Sequence, residues 1–270
     1  MTGQTSQVWE AIHDATRKRY ALKMLLSDFR RDREQIGYLK HEWEVGSKLG
    51  HPNVINLVDF STKAETPFLV MEFFPWPNIK QYINQGVDRF AYMAPKIIEL
   101  AATGLAYFSN EGWIHRDIKP DNYLMTDEGD IRLIDFALGI RPKRGLAKMF
   151  ASKGKIQGTR SYMSPEQIRG QPLDQRADVY SFGCTAYEIV TGKRPYTGTS
   201  ANDLLMKHLK AAPPPADAAN RNITPEFSQL IQRTLTKNPD GRPESMTQFL
   251  REFKAIRVFQ EPPRPPKTSE

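Results

Sequence analysis

The chain has 270 residues, 39% hydrophobic and 26% charged, a size and balance that fit one large domain or two lobes around a cleft and exclude a disordered chain. No stretch approaches the roughly 18 apolar residues of a membrane span, no signal-like start is present, and the lone cysteine, Cys184, excludes an internal disulfide, so a reducing, cytoplasmic setting is expected. The net charge of +7 is dispersed apart from one cluster between Arg141 and Lys155, which argues against a nucleic-acid partner.

Residues 7–13 and 19–25 read as two strands, with the polar stretch Asp14-Ala15-Thr16-Arg17-Lys18 as a hairpin turn. A charged, helix-favouring stretch runs from about Arg33 to Leu49, and Gly50-His51-Pro52 ends it. Two more strands are predicted near Val54–Phe60 and Phe68–Phe73. Pro75-Trp76-Pro77 breaks the pattern and reads as a hinge between a small β-rich lobe, about 1–73, and a larger helical lobe, about 74–256. This is an α+β architecture. Beyond the hinge, Ile97, Ala101, Leu105 and Phe108 recur at helical spacing, and Val179–Cys184 sits in a second apolar helix. Asp127-Glu128-Gly129 reads as a hairpin turn, and shorter helices are predicted over 201–210, 225–236 and 244–253. The Pro-rich end, residues 257–270, has no core-forming pattern and is predicted to be extended or disordered.

Between these elements, residues 115–122 read His-Arg-Asp-Ile-Lys-Pro-Asp-Asn. Asp117 can accept a proton from an attacking hydroxyl, Lys119 can hold a transferring phosphate, and Asn122 can offer a carbonyl oxygen to Mg²⁺. The octet resembles the H-R-D-x-K-P-x-N loop of eukaryotic-like protein kinases, and its Lys and Pro resemble the serine/threonine branch. Gly-Thr-Arg-Ser-Tyr-Met (158–163) and Ser-Pro-Glu-Gln (164–167) are similar to bacterial members of that family. The resemblance covers about residues 1–256.

The resemblance implies a bilobal kinase fold and ATP- and Mg²⁺-dependent phosphoryl transfer to Ser/Thr hydroxyls of protein substrates. Lys23, in Tyr-Ala-Leu-Lys, looks like the strand lysine that neutralises the ATP phosphates; taken alone it is one more strand lysine. Glu42 looks like its helical partner, with Glu44 expected to face solvent. Asp135, opening Asp-Phe-Ala, is expected to bind Mg²⁺ together with Asn122, and Phe136 to pack beneath the helix of Glu42. For adenine the resemblance implies Val8 and Ala21 as roof, Leu124 as floor, Met71 at the rear, and the backbones of Glu72 and Phe74 as hydrogen-bonding partners. Gly3 and Ser6 fall on glycine positions of the phosphate-covering G-x-G-x-x-G-x-V loop. Thr159 is expected between Asp117 and Lys119. Glu166 is expected to form a buried ion pair with Arg242, and Asp178 to anchor the catalytic loop from below.

The chain also departs from the family. Ala137 replaces a glycine, where a positive φ would be costly. Gly46 replaces a bulky residue that stacks on Phe136, which predicts a void. Val8 aligns with the valine of the glycine loop, so the preceding strand is absent from this sequence; either the fold tolerates this or Met1 is not the natural start, and the second reading is preferred. These departures leave a pseudokinase scaffold as a second reading, with a small-molecule phosphotransferase as a third. The stretch holding Arg141, Lys143, Arg144, Lys148, Lys153 and Lys155 contains one hydroxyl, Ser152, which is expected to take a phosphate that Arg116 receives. Phosphorylation of Ser152 by a second copy of the chain makes dimerisation part of that expectation.

Overall fold

The computed structural model describes residues 5–142 and 157–265. Its small lobe opens with a hairpin, β1 (Ser6–Ile12) and β2 (Arg19–Leu25). The predicted turn is there: His13 N–H donates to the Lys18 carbonyl at 2.9 Å, and Arg17 takes a left-handed φ of 56°. Helix α1 (Arg33–Gly46) follows, started by the Asp32 carboxylate, which accepts from the Glu34 and Gln35 N–H groups. The helix stops three residues before the predicted end. Past it, Gly50 N–H donates to the Tyr107 hydroxyl at 2.9 Å and His51 stacks on Tyr107, which fixes this stretch to the large lobe.

Strands β3 (Leu57–Ser61) and β4 (Phe68–Glu72) complete an antiparallel sheet of order β1-β2-β4-β3. Among the described residues no strand precedes β1, which lies at the sheet edge. The register sets Val8 opposite Lys23, Lys23 opposite Leu69, and Ala21 opposite Met71. Directly opposed side chains share a face, and so do residues two apart along a strand. Val8, Ala21, Lys23 and Met71 therefore line one face of the sheet. β3 begins later than predicted because the chain before it bonds elsewhere. Ile55 N–H donates to the Leu133 carbonyl, and Leu133 N–H to the Asn53 carbonyl, each at 2.9 Å, which ties residues 53–55 to the large lobe.

The large lobe holds α2 (Ile79–Asn84), α3 (Ala94–Asn110), a hairpin of β5 (Tyr123–Met125) and β6 (Ile131–Leu133), α4 (Pro165–Ile168) and α5 (Arg176–Thr191). It closes with α6 (Ala201–Lys210), α7 (Ala216–Ala219), α8 (Pro225–Thr234) and α9 (Met246–Phe253). Helix α3 buries the predicted stripe of Ile97, Ala101, Leu105 and Phe108. Helix α5 is buried along most of its length, with α2, α3, α7 and α8 packed against it.

The end of the chain differs from expectation. Val258 and Phe259 are buried, Thr224 N–H donates to the Val258 carbonyl, and Gln260 N–H donates to the Asn222 carbonyl. Residues 257–261 are thus docked rather than extended away. The prolines that suggested an open chain begin only at Pro262, after the two apolar residues that seat it.

Candidate active site

The octet of residues 115–122 is a loop held from below. The buried Asp178 carboxylate accepts the N–H of His115 at 2.6 Å and that of Arg116 at 2.9 Å. Arg116 has a left-handed φ of 68°, a conformation that costs a non-glycine residue of order 1 kcal/mol or more. The two bonds to Asp178 hold it there. Burial pushes the Asp178 carboxyl pKa up, against the pull of the His115 and Arg116 contacts. His115 packs against Phe108 and Phe136 and gives the loop an apolar underside.

Above this base, Asp117 Oδ1 accepts the Thr159 N–H at 2.7 Å and Oδ2 accepts the Lys119 ammonium at 2.7 Å. Lys119 also donates to the Thr159 hydroxyl at 2.7 Å, so Thr159 does bridge Asp117 and Lys119. The Asn122 side-chain N–H group donates to the Asp117 carbonyl at 2.8 Å and to Oδ2 at 3.2 Å. Thr159 reaches this place because Gly158 has φ 113° and runs against the catalytic loop; a Cβ on it would lie 2.7 Å from the Arg116 carbonyl oxygen.

The cleft wall opposite carries Lys23. Its ammonium contacts Glu42 at 2.7 Å and Asp135 at 3.3 Å. Burial works against the lysine charge, but the carboxylates of Asp135 and Glu42 outweigh it and raise the pKa. The Lys23 ammonium holds the Asp135 carboxyl below the usual range, while burial pushes Glu42 up. Lys23 is therefore a cation at neutral pH. Glu44 is 55% exposed beside Lys40 and His41, as expected of the residue facing away from the cleft.

Two expected defects are absent. Ala137 is not among the residues with positive φ; the left-handed residue of this segment is Asp135, at 67°. The alanine therefore bears no such strain. Beside Gly46 there is no void. A Cβ there would meet Leu57 Cδ1 at 2.4 Å and Phe136 Cδ2 at 2.7 Å. Leu57, entering from β3, supplies the apolar contact expected of the helix itself, and Phe136 remains fully buried.

A cleft of about 520 Å³ brings Ser6, Lys23, Glu42, Asp117, Lys119 and Asp135 together. Val8, Ala21, Met71 and Leu124 do not border this cavity; the first three lie on the same sheet face as Lys23, and Leu124 lies on β5 below. Glu72 uses its N–H on the Asn56 carbonyl, and the Phe74 carbonyl accepts the Trp76 N–H. That leaves the Glu72 carbonyl and the Phe74 N–H as the groups these residues could offer a base. Gly3, Ser152 and the basic residues from Lys143 to Lys155 lie outside the described residues.

The chemistry of Asn122 and Asp135 suits the expected metal. Asn122 spends its N–H end on Asp117, which leaves its carbonyl oxygen for a cation, and Lys23 contacts only one Asp135 oxygen. One amide and one carboxylate suit an ion that completes its shell with phosphate oxygens and water, as Mg²⁺ does.

The segment that runs from Asp135 to Glu166, the activation segment of the kinase resemblance, ends on a buried pair. Arg242 donates to both Glu166 oxygens, at 2.7 and 2.9 Å, and further to the carbonyls of Thr236, Arg176 and Lys237. Neighbouring Gln167 donates to the Arg116 carbonyl at 2.9 Å, a link to the catalytic loop that sequence reasoning missed. It also missed the buried Glu188, which bonds Lys80 of α2 and the Tyr162 hydroxyl and so seats the segment on α5.

A model of the protein kinase domain matches residues 2–253. The chain belongs to the protein kinase family. It is 33% identical over 272 residues to serine/threonine-protein kinase PknA of Mycobacterium tuberculosis (strain H37Rv), covering 99% of this chain and 62% of that protein. It is 30% identical over 259 residues to a probable serine/threonine-protein kinase of Clostridium acetobutylicum, covering 94% of this chain and 38% of that protein. To serine/threonine-protein kinase PknB of Mycolicibacterium smegmatis it is 30% identical over 257 residues, covering 91% and 40%. This kinase domain thus spans under two thirds of the length of these relatives. Among its described residues no helix is long and apolar enough to cross a membrane.

Proposed function

We propose that this kinase domain transfers the γ-phosphoryl group of ATP to Ser or Thr hydroxyls of proteins, with Mg²⁺. The observation that carries this reading is the hydrogen-bonded cluster of Asp117, Lys119, Asn122 and Thr159 facing the Lys23–Glu42 pair across one cleft. In this reading Asp117 orients the acceptor hydroxyl and takes its proton as the oxygen attacks the γ-phosphorus and the bond to the bridging oxygen of ADP breaks. Lys119 sits beside that carboxylate and can hold the transferring phosphoryl group. Lys23, fixed by Glu42, meets the remaining phosphates. Asn122 and Asp135 would hold Mg²⁺, whose chemistry is to neutralise charge on the phosphate oxygens. Val8, Ala21, Met71 and Leu124 would enclose the adenine. The Glu72 carbonyl and the Phe74 N–H would read its edge.

The serine/threonine preference is supported by the Lys119–Thr159 bond and by the likeness to serine/threonine-protein kinases PknA and PknB. A reducing, cytoplasmic setting is supported by the single, buried Cys184. The pseudokinase reading loses two of its three arguments, because Ala137 is unstrained and Leu57 fills the space beside Gly46. The test is incubation with labelled ATP, Mg²⁺ and a generic basic protein, with Asp117→Asn as control. Label is expected in acceptor Ser and Thr with the parent chain, falling by on the order of 10²–10⁴ with Asp117→Asn while ATP affinity stays nearly unchanged. Transfer by the variant within a few fold of the parent would refute the assignment.

A further inference from the structure

Four polar side chains, joined by three hydrogen bonds, link the loop of residues 115–122 through Gln157 to α1. Arg116 Nη2 donates to Gln157 Oε1 at 3.2 Å, Gln157 Nε2 donates to the Tyr38 hydroxyl at 2.8 Å, and that hydroxyl donates to Glu34 Oε1 at 3.3 Å. Each end of this chain is anchored. Arg116 is held through its backbone by Asp178 and through Nε by the Leu138 carbonyl at 2.6 Å, and it directly precedes Asp117. Tyr38 lies one helical turn before Glu42, so the two side chains leave the same face of α1, and both border the cleft.

We propose that Gln157 is a positioning residue for phosphoryl transfer, its amide joining the catalytic loop to the helix that carries Glu42. This rests on the reading of the chain as an active kinase. An amide has an acceptor at one end and a donor at the other, and both are used: the oxygen takes the guanidinium N–H and the nitrogen gives to the phenol. The backbone leaves Gln157 little room to drift, because Gly158 presses against the Arg116 carbonyl. A swing of α1 away from the cleft breaks the Gln157–Tyr38 bond and the Glu42–Lys23 pair together. Gln157 acts through Glu42 on Lys23, and through Arg116 on the loop that presents Asp117. It touches no reacting atom. The groups that join Arg116 to α1, the Gln157 amide and the Tyr38 phenol, are neutral and belong to the chain itself, so the join needs no added phosphate.

The experiment uses the 270-residue chain and its variants Tyr38→Phe, Gln157→Leu, the double variant and Gln157→Glu. Two properties are read: amide hydrogen exchange over residues 33–46, and kcat with KM for ATP and for a basic acceptor protein. Tyr38→Phe and Gln157→Leu are each expected to speed exchange in α1 and to lower kcat by roughly fivefold, the scale of one partly buried hydrogen bond. The double variant is expected to do no more than either single one. The acceptor KM stays put. Gln157→Glu keeps an acceptor for both Arg116 and the Tyr38 hydroxyl and is expected to restore both readouts to near the parent. Unchanged exchange in Gln157→Leu overturns the proposal. So does multiplicative behaviour in the double variant, or a raised acceptor KM with kcat intact. A parent chain that transfers no phosphoryl group removes the kinase reading instead, and the exchange arm still decides whether the bridge holds α1.

Discussion

Leu57 occupies the space beside Gly46, with its Cδ1 only 2.4 Å from where a Cβ on that glycine would sit. A strand residue has taken over a contact that a helix residue would ordinarily make. The consequence is a helix that must stay free of side chain at position 46. Leu57 could rotate away from an added methyl, but the Phe136 ring, fully buried and stacked on Phe108, has nowhere to move. Gly46→Ala is expected to destabilise the domain by roughly 1–3 kcal/mol through overpacking, although alanine in a helix is otherwise worth about 1 kcal/mol over glycine. Urea unfolding measures it. An alanine variant more stable than the parent would show that the contact yields freely.

Lys23→Met removes the cation that both Glu42 and Asp135 face. Two carboxylates then confront each other in the cleft with no cation between them. ATP affinity and turnover are both expected to fall, turnover by on the order of 10²–10³, the usual cost of losing one preorganised donor. Nucleotide titration and steady-state rates separate the two effects. A variant that binds ATP like the parent would place the phosphates away from Lys23.

The catalytic loop was legible because its chemistry is contiguous: Asp117, Lys119 and Asn122 lie within six residues, and local spacing alone brings them together. Glu166 and Arg242 are separated by 76 positions, and only the resemblance to kinases paired them. The replacement of a helix side chain by Leu57 was hidden because it depends on where β3 starts, and that in turn depends on residues 53–55 bonding to β6. Gln157 and Tyr38 were missed for a similar reason, since a glutamine in a loop and a tyrosine on a helix carry no local sign of each other. The docked end was misread because composition averages over Pro262–Pro266 and hides the two apolar residues before them.

Glu166→Gln tests the buried closure of the activation segment. It leaves the Arg242 guanidinium, whose side chain is fully buried, facing a neutral amide. Removing one partner of a buried pair costs about 3–5 kcal/mol, because the remaining charge stays desolvated. The expected result is a marked drop in the denaturation midpoint together with lost transfer. Replacing both residues with apolar ones of similar volume is expected to cost less than the single change. A double variant that is worse than Glu166→Gln would mean that the carbonyl contacts of Arg242, rather than its charge pairing, dominate.

The pH dependence of stability has an identifiable source in His208. Its ring is fully buried beside Tyr180, whose hydroxyl meets Nδ1 at 3.0 Å, and against the Tyr196 ring at 4.9 Å. Burial, with the Lys237 ammonium adding to it, pushes the imidazole pKa down to about 4. In the unfolded chain it returns to roughly 6.5. Between those values the unfolded state binds more protons than the folded one, so stability rises with pH across that window. The contribution is complete above the unfolded value and is lost as pH falls from there toward 4. Between pH 7.5 and 5 the loss amounts to about 2 kcal/mol. Urea unfolding of the parent across that interval is expected to show it. His208→Gln, which keeps an acceptor for Tyr180 and does not titrate, is expected to start less stable and to lose about 2 kcal/mol less over the same range. A glutamine variant whose stability falls as steeply as the parent's would assign the acid sensitivity to another group.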